Sequence, residues 1–152
     1  MSNKHHHVSM DFLDFSRATV EAIKAHRIMT FILESSEHRA VEVRAAMSGV
    51  GSPALDGLPR GHDPRGREKR LAAGIDQLDC LAERHSRAAE YMSWFDPAWE
   101  QLDEDERYVL TGFYIERVSM DEMTEKLGVE AKGVYTRKDR ALKRLSLLLY
   151  GR

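Results

Sequence analysis

Basic and hydroxyl side chains recur at helical spacing near the end of this 152-residue chain. In a helix that begins near Ala131, residues three or four positions apart lie on one face. That face carries Lys132, Tyr135, Thr136, Asp139, Arg140 and Lys143. Lysine and arginine neutralise phosphates, and polar side chains can also bond to the edges of bases. The pattern predicts contact with a nucleic-acid duplex rather than covalent chemistry.

Two helices and a tight turn are the elements that would position this face. The first helix begins at Ser119, where Ser119 and Glu122 have the spacing of a capping box. The turn is Leu127-Gly128-Val129, and the second helix runs from about Ala131 to Tyr150 and stops at Gly151. We expect the two helices to pack through Met123, Leu127, Val134, Ala141, Leu145 and Leu148.

This arrangement is typical of a helix-turn-helix, whose second helix lies in the major groove of DNA. The start of that helix meets base edges, so the candidate base contacts are Lys132, Tyr135 and Thr136. Later basic residues, and the N-terminus of the first helix, meet phosphates. The candidate phosphate contacts are Ser119, Arg140, Lys143 and Arg144.

The distribution of charge agrees with a DNA-facing end. The whole chain has 23 Lys and Arg and 25 Asp and Glu, for a net charge of −2. Residues 126–152 hold eight basic and two acidic residues, a local +6, and the other 125 residues hold 15 basic and 23 acidic residues, a local −8. Such polarity favours a basic binding surface on an acidic remainder.

Two long helices are predicted before this region. Residues 10–47 contain no Pro or Gly and place an apolar face at helical spacing, with a denser run at 28–33 that predicts burial on more than one side. Residues 49–66 are rich in Gly and Pro and predict a long loop. The face of the first helix comprises Phe12, Phe15, Thr19, Ala22, Met29, Leu33, Ala40, Val43 and Met47.

The second long helix is predicted from about Arg67 to Trp94, ended by Asp96-Pro97. Its apolar residues alternate in steps of four and three, as in a coiled-coil seam. They are Leu71, Ile75, Leu78, Ala82, His85, Ala89 and Met92. The partner of this seam is either the first helix, folded back as a hairpin, or a second copy, which would form a homodimer.

These elements predict an all-α protein with three parts. Residues 1–9 form a flexible tail that contains His5-His6-His7. Residues 10–95 form a long, coiled-coil-like helical hairpin with the loop at 49–66, and residues 98–152 form the helix-turn-helix domain. Within the latter, Asp103 and Glu106 cap a further helix, whose apolar face is Val109, Leu110, Phe113 and Tyr114.

Several functional classes lack their sequence signals. The chain has no Gly-rich phosphate loop, no Cys/His set with metal-ligand spacing and no nucleophile motif, so neither an enzyme nor a bound cofactor or metal is expected. The single Cys80 excludes a disulfide within one chain. No run of about 18 apolar residues is present, which predicts a cytoplasmic protein without a membrane partner.

The segment from the acidic lead-in at Asp103 to Leu145 resembles region 4 of sigma-70-type factors, the module that reads the promoter −35 element. The resemblance rests on Ser119-Met-Asp-Glu-Met, Leu127-Gly128-Val129, Val134 and Arg140-Ala-Leu-Lys-Arg-Leu145. The pattern differs at Glu130, where Ser or Thr is usual, at Gly133, and at Arg137, where an aliphatic residue is usual.

The whole chain is similar to small phage and prophage regulators of the ArpU and RinA type. The similarity adds residues 51–60 and the helix that reaches Glu90-Tyr-Met-Ser-Trp94. It implies a transcription regulator that binds double-stranded DNA near RNA polymerase. The alternative is a phage packaging protein like a small terminase subunit, or another assembly protein, that uses the helix-turn-helix for DNA or protein contact.

Overall fold

A computed structural model describes residues 15–49 and 64–151, which are almost entirely helical and include no strand. The prediction of an all-α chain is confirmed for this part. The five α-helices are α1 (Phe15–Met47), α2 (Pro64–Glu100), α3 (Glu104–Thr111), α4 (Met120–Leu127) and α5 (Ala131–Tyr150). The expected tail at 1–9, the start of the first helix and loop residues 50–63 lie outside the described residues.

Helix α1 is one uninterrupted helix with a single buried face. Thr19, Ala22 and Val43 are buried, as their spacing predicts. The prediction that residues 28–33 are buried on more than one side is wrong, because Ile28 is 59% exposed and Phe31 is 64% exposed. Only one described helix, α2, packs beside this part of α1 in the compact unit 28–92, so one face is covered.

Helix α2 extends beyond both predicted ends. It begins at Pro64, inside the expected loop, because proline suits the first position of a helix. The expected end near Trp94 is also wrong, since the helix continues through Pro97 to Glu100. Phe95 is 1% exposed, and Ala98 is also buried. We attribute the continuation to this burial, which offsets the hydrogen bond that Pro97 cannot donate.

The buried row of α2 is rotated from the predicted seam. Leu71 and Ile75 are 45% and 48% exposed, whereas Gly74 and Ala88 are buried. A Cβ atom on Gly74 would overlap the side chain of Met47, so the backbones approach closely there. Both apolar rows of α2, the predicted seam and the buried row, can be identified in the sequence. Which row α1 covers depends on the contacts between the two helices.

The described residues group into two compact units: one holds 28–49 and 64–92, and the second holds 15–27 and 93–151. In the second unit, α3 and α4 pack on α5. Its aromatic contacts join the ends of the long helices to the C-terminal helices: the ring of Tyr150 lies 5.1 Å from that of Phe15 and 5.6 Å from that of Trp94. Residues 15–27 and 93–100 therefore belong with the C-terminal helices rather than with 28–92.

Local caps set the limits of α3 and α4. The cap predicted at Asp103 and Glu106 is confirmed as a full capping box: Asp103 Oδ1 accepts from the Glu106 amide at 2.8 Å, and Glu106 Oε2 accepts from the Asp103 amide at 3.0 Å. At the start of α4 only one bond of the predicted box is present, from the Glu122 amide to Ser119 Oγ. A π-helical turn, Gly112–Glu116, follows α3 and contains Phe113 and Tyr114 of the predicted apolar face. None of the helices in 15–49 and 64–151 has the length and apolar content needed to cross a membrane.

Candidate nucleic-acid interface

The buried side of α5 fixes the helix on α3 and α4. Val134, Ala141 and Leu145 are fully buried, and Met123 and Leu127 of α4 are also buried, as predicted. The prediction for Leu148 is wrong, because its side chain is 43% exposed, while the core includes Leu142 and Ser146 instead. The buried side of α5 therefore changes direction near the C-terminal end of the helix. There the Trp94 indole N–H donates to the Leu149 carbonyl at 3.4 Å.

The turn between α4 and α5 depends on glycine. Gly128 has a φ of 62°, in the left-handed region, and its N–H bonds to the Thr124 carbonyl. A Cβ on Gly133 would lie 3.0 Å from Cβ of Val129, so the turn packs directly on the first turn of α5. Glu130 occupies the N-cap of α5 without a side-chain hydrogen bond, as its residue type predicts.

The exposed side of α5 brings together five of the seven predicted site residues. We call them the α5 basic face: Lys132, Tyr135, Thr136, Arg140 and Lys143, all exposed. The Thr136 hydroxyl donates to the Lys132 carbonyl at 2.9 Å, so its oxygen is left to accept a further hydrogen bond. The basic face and the buried face lie on opposite sides of one rigid helix.

Tyr135 is held beside two neighbours although its side chain is 49% exposed. Its ring centroid lies 5.6 Å from that of Phe113, and Lys138 Nζ lies 5.6 Å from the Tyr135 centroid. The ammonium of Lys138 is also 5.4 Å from the Phe113 centroid. These contacts restrict the tyrosine ring before any ligand arrives.

Lys138 also neutralises Asp139, an acidic residue on the same side of α5 as the basic face. Its Nζ lies 2.9 Å from Asp139 Oδ1. The hydrogen bond to Asp139 raises the pKa of Lys138, and burial opposes that rise. The lysine therefore stays charged at neutral pH and compensates the Asp139 carboxylate. Sequence reasoning missed Lys138; its position next to Asp139 is the signal that was available.

Two arginines on the flank of α5 bind the acidic start of α3. Arg137 Nη1 lies 2.8 Å from Asp105 Oδ2, and Arg144 Nη1 lies 2.7 Å from Glu106 Oε2. The Glu106 side chain is only 11% exposed. Arg144, a predicted phosphate contact, thus has an internal partner, and Arg137 is paired as well.

Three cations of the α5 basic face are uncompensated. Across 15–49 and 64–151, no carboxylate oxygen lies within 4.0 Å of the charged nitrogens of Lys132, Arg140 or Lys143, whereas Arg137, Lys138 and Arg144 are all paired. A surface with three unpaired positive charges attracts a polyanion, because binding releases its condensed counterions.

Ser119 lies apart from this face, at the N-cap of α4. Its Oγ accepts from the Glu122 amide at 3.3 Å, and its own proton is left to donate. Asp121 and Glu122 occupy the first turn of α4, and their charges oppose a phosphate at the same terminus. Ser119 is therefore placed for a single hydrogen bond rather than for strong anion binding.

The site is a positively charged face of a helix whose opposite side is buried. In the described part of the chain, no three His, Cys, Asp or Glu side chains are grouped closely enough to hold a metal ion. Comparisons of the chain with protein-family models, curated proteins and solved structures find no match.

Proposed function

We propose that this chain binds double-stranded DNA through a helix-turn-helix made of α4, the Gly128 turn and α5. The observation that carries the proposal is the α5 basic face, with three uncompensated cations opposite a fully buried side. The Gly128 conformation and the burial of Met123, Val134 and Leu145 also support it, since a recognition helix must be held rigidly.

The length of the basic face fits the proposed groove. Lys143 lies eleven positions after Lys132, or roughly 17 Å along the helix at about 1.5 Å per residue. The major groove is about 12 Å wide. With Lys132, Tyr135 and Thr136 at the base edges, Arg140 and Lys143 reach the sugar-phosphate backbone at the groove's edge.

Arg144 is better suited to holding α3 against α5 than to binding phosphate. Its guanidinium already donates to Glu106, a carboxylate that also caps α3. Releasing it for DNA would leave Glu106 nearly buried and unpaired, which costs free energy. We infer that the phosphate contacts of α5 come from Arg140 and Lys143.

We further propose that DNA binding serves transcription regulation in a phage or prophage, at a promoter and next to RNA polymerase. The support is the resemblance of Asp103–Leu145 to region 4 of sigma-70-type factors and that of the whole chain to regulators of the ArpU and RinA type. The paired Arg137 and the uncapped Glu130 differ from the sigma pattern, so a site other than a standard −35 element is expected.

Selection from a random duplex pool tests DNA recognition. Wild type should enrich one motif, and Lys132→Ala or Tyr135→Ala should relax its preference at individual positions, with about 1–3 kcal/mol of discrimination lost. Lys69→Ala, at an exposed lysine of α2, is the matched control and should leave the motif unchanged. A pool that shows no enrichment with wild type contradicts sequence-specific binding.

Transcription from a template that carries the selected motif tests the regulatory role. Added protein should change the transcript yield of RNA polymerase, and a footprint over the motif should extend when polymerase is present. An unchanged yield, with the motif occupied, contradicts regulation while leaving DNA binding intact.

A further inference from the structure

An open hollow interrupts the α5 basic face at Gly133. Three members of that face, Lys132, Thr136 and Arg140, line the hollow, and Val129 and Glu130 of the preceding turn also border it. Glycine contributes no side chain, so the backbone of α5 forms the floor. We call this space the Gly133 hollow. It lies in the first turns of α5, the part of a recognition helix that meets base edges.

Val129 supplies an apolar wall of the Gly133 hollow. A Cβ atom on Gly133 would lie 3.0 Å from Val129 Cβ and 3.2 Å from Val129 Cγ2, so the valine side chain stands directly beside the glycine. Val129 is only partly buried, which leaves some of its side chain facing the open space. Carbon atoms of Val129 and of the Gly133 backbone therefore bound this part of the hollow.

The polar rim of the hollow combines an acceptor with a donor. The Thr136 hydroxyl gives its proton to the Lys132 carbonyl at 2.9 Å, so Thr136 Oγ1 is left to accept from a ligand. The ammonium group of Lys132 only donates, and the side chain is exposed. A ligand that fits this rim offers a donor and an acceptor beside an apolar group.

Glu130 favours an uncharged base edge over a phosphate as the occupant. Its side chain is exposed, borders the hollow and makes no hydrogen bond at the N-cap of α5. The free carboxylate would repel a phosphate placed beside it, since like charges at short range raise the free energy. The edge of a base pair carries no net charge and meets no such repulsion.

We propose that the Gly133 hollow receives the C5-methyl group of a thymine, so that Gly133 and Val129 select a T·A pair in the DNA target. Thymine is the base that presents a methyl group in the major groove. Beside the methyl group, a T·A pair presents the O4 acceptor of thymine and the N6 donor of adenine, which match Lys132 and Thr136. The inference rests on the proposed function and assigns one base pair of the target.

Replacing thymine with deoxyuridine tests the proposal, because the exchange removes the methyl group and keeps every hydrogen-bonding group of the base. Each thymine of the selected motif is replaced in turn, and duplex affinity is measured by fluorescence anisotropy at a fixed KCl concentration. At one position, deoxyuridine should weaken binding by wild type about fourfold, the effect of burying one methyl group.

Val129→Ala tests whether that methyl group lies in the Gly133 hollow. Loss of the wall should reduce the fourfold effect of deoxyuridine to less than about twofold, as expected for two groups in contact. Val118→Ala changes another partly buried valine, outside the hollow, and should keep the fourfold effect. Circular dichroism verifies folding. If Val129→Ala unfolds, Val129→Thr decides instead, because it keeps the shape and replaces one methyl group with a hydroxyl.

The outcomes separate this inference from the proposed function. The assignment of the hollow is overturned, with DNA binding intact, by a motif in which every thymine tolerates deoxyuridine or by one without a T·A pair. A methyl effect that Val129→Ala leaves at full size, or that Val118→Ala removes equally, also overturns it. A pool without any enriched motif instead overturns sequence-specific binding, and the role of the hollow with it.

Discussion

Arg144 and Lys143 are neighbours on α5 for which we predict opposite effects. Arg144 Nη1 lies 2.7 Å from Glu106 Oε2, the oxygen that also accepts from the Asp103 amide at 3.0 Å. Arg144→Ala leaves this nearly buried carboxylate without its cation. A hydrogen bond to a charged group contributes about 1.5–3 kcal/mol. Since Arg144 is half exposed, water replaces part of this interaction in the variant, and we expect Arg144→Ala to lower the free energy of unfolding by about 1–2 kcal/mol.

Lys143→Ala is the matched control because Lys143 is exposed and has no acidic partner among the described residues. Its free energy of unfolding should stay within about 0.5 kcal/mol of wild type. Its DNA affinity should instead depend less on salt, with the slope of log K against log[KCl] reduced by about 0.9.

Urea unfolding followed by circular dichroism gives the stabilities, and fluorescence anisotropy of a labelled duplex over a KCl series gives the slopes. Arg144→Ala should leave the salt slope at the wild-type value. The reasoning is refuted if Arg144→Ala keeps wild-type stability and reduces the slope as Lys143→Ala does, because Arg144 would then bind phosphate rather than hold α3.

Three further substitutions test local features by urea unfolding. Gly128→Ala should cost about 1–2 kcal/mol, because φ is 62° there; an unchanged midpoint would contradict the left-handed turn. Asp103→Ala should cost about 1 kcal/mol by removing the cap of α3, and a neutral result would contradict the capping box. Tyr108→Phe should stabilise by up to about 1 kcal/mol, since the buried hydroxyl has no partner in the described chain. Destabilisation by Tyr108→Phe would instead reveal a partner for the hydroxyl. Burial of the Tyr108 side chain, and after it the charges of Glu122 and Glu116, raise the pKa of Tyr108.

The sequence predicts α3, α4 and α5 well because their limits are set locally. Asp103 and Ser119 cap helices through residues three positions away, and Gly128 and Gly151 end helices through their own backbone conformation. The basic face follows from the 3.6-residue period of one helix. Signals that act within a few residues can be read without knowledge of the neighbours.

Features that depend on distant contacts were not predictable. Pro97 marks a helix end by local rules, yet burial of Phe95 and Ala98 accompanies the continuation of α2 past it. The choice between the two apolar rows of α2 depends on the close approach of Met47 to Gly74. Likewise, the sequence pattern around Arg144 is that of a phosphate contact. Its pairing with Glu106, 38 residues earlier in the chain, is seen only in the structure.

The central claim is tested most directly by duplex binding of wild type and of Lys132→Ala/Arg140→Ala/Lys143→Ala, with anisotropy measured across a KCl series. All three residues are exposed, so the variant should fold as wild type does, which circular dichroism verifies. We predict salt-dependent binding by wild type, with a slope of log K against log[KCl] of about −1.8 or steeper for the phosphate contacts of Arg140 and Lys143, and loss of this binding in the variant. Equal binding by the two proteins, or no duplex binding by wild type at low salt, would contradict the assignment of α5 as a DNA-recognition helix.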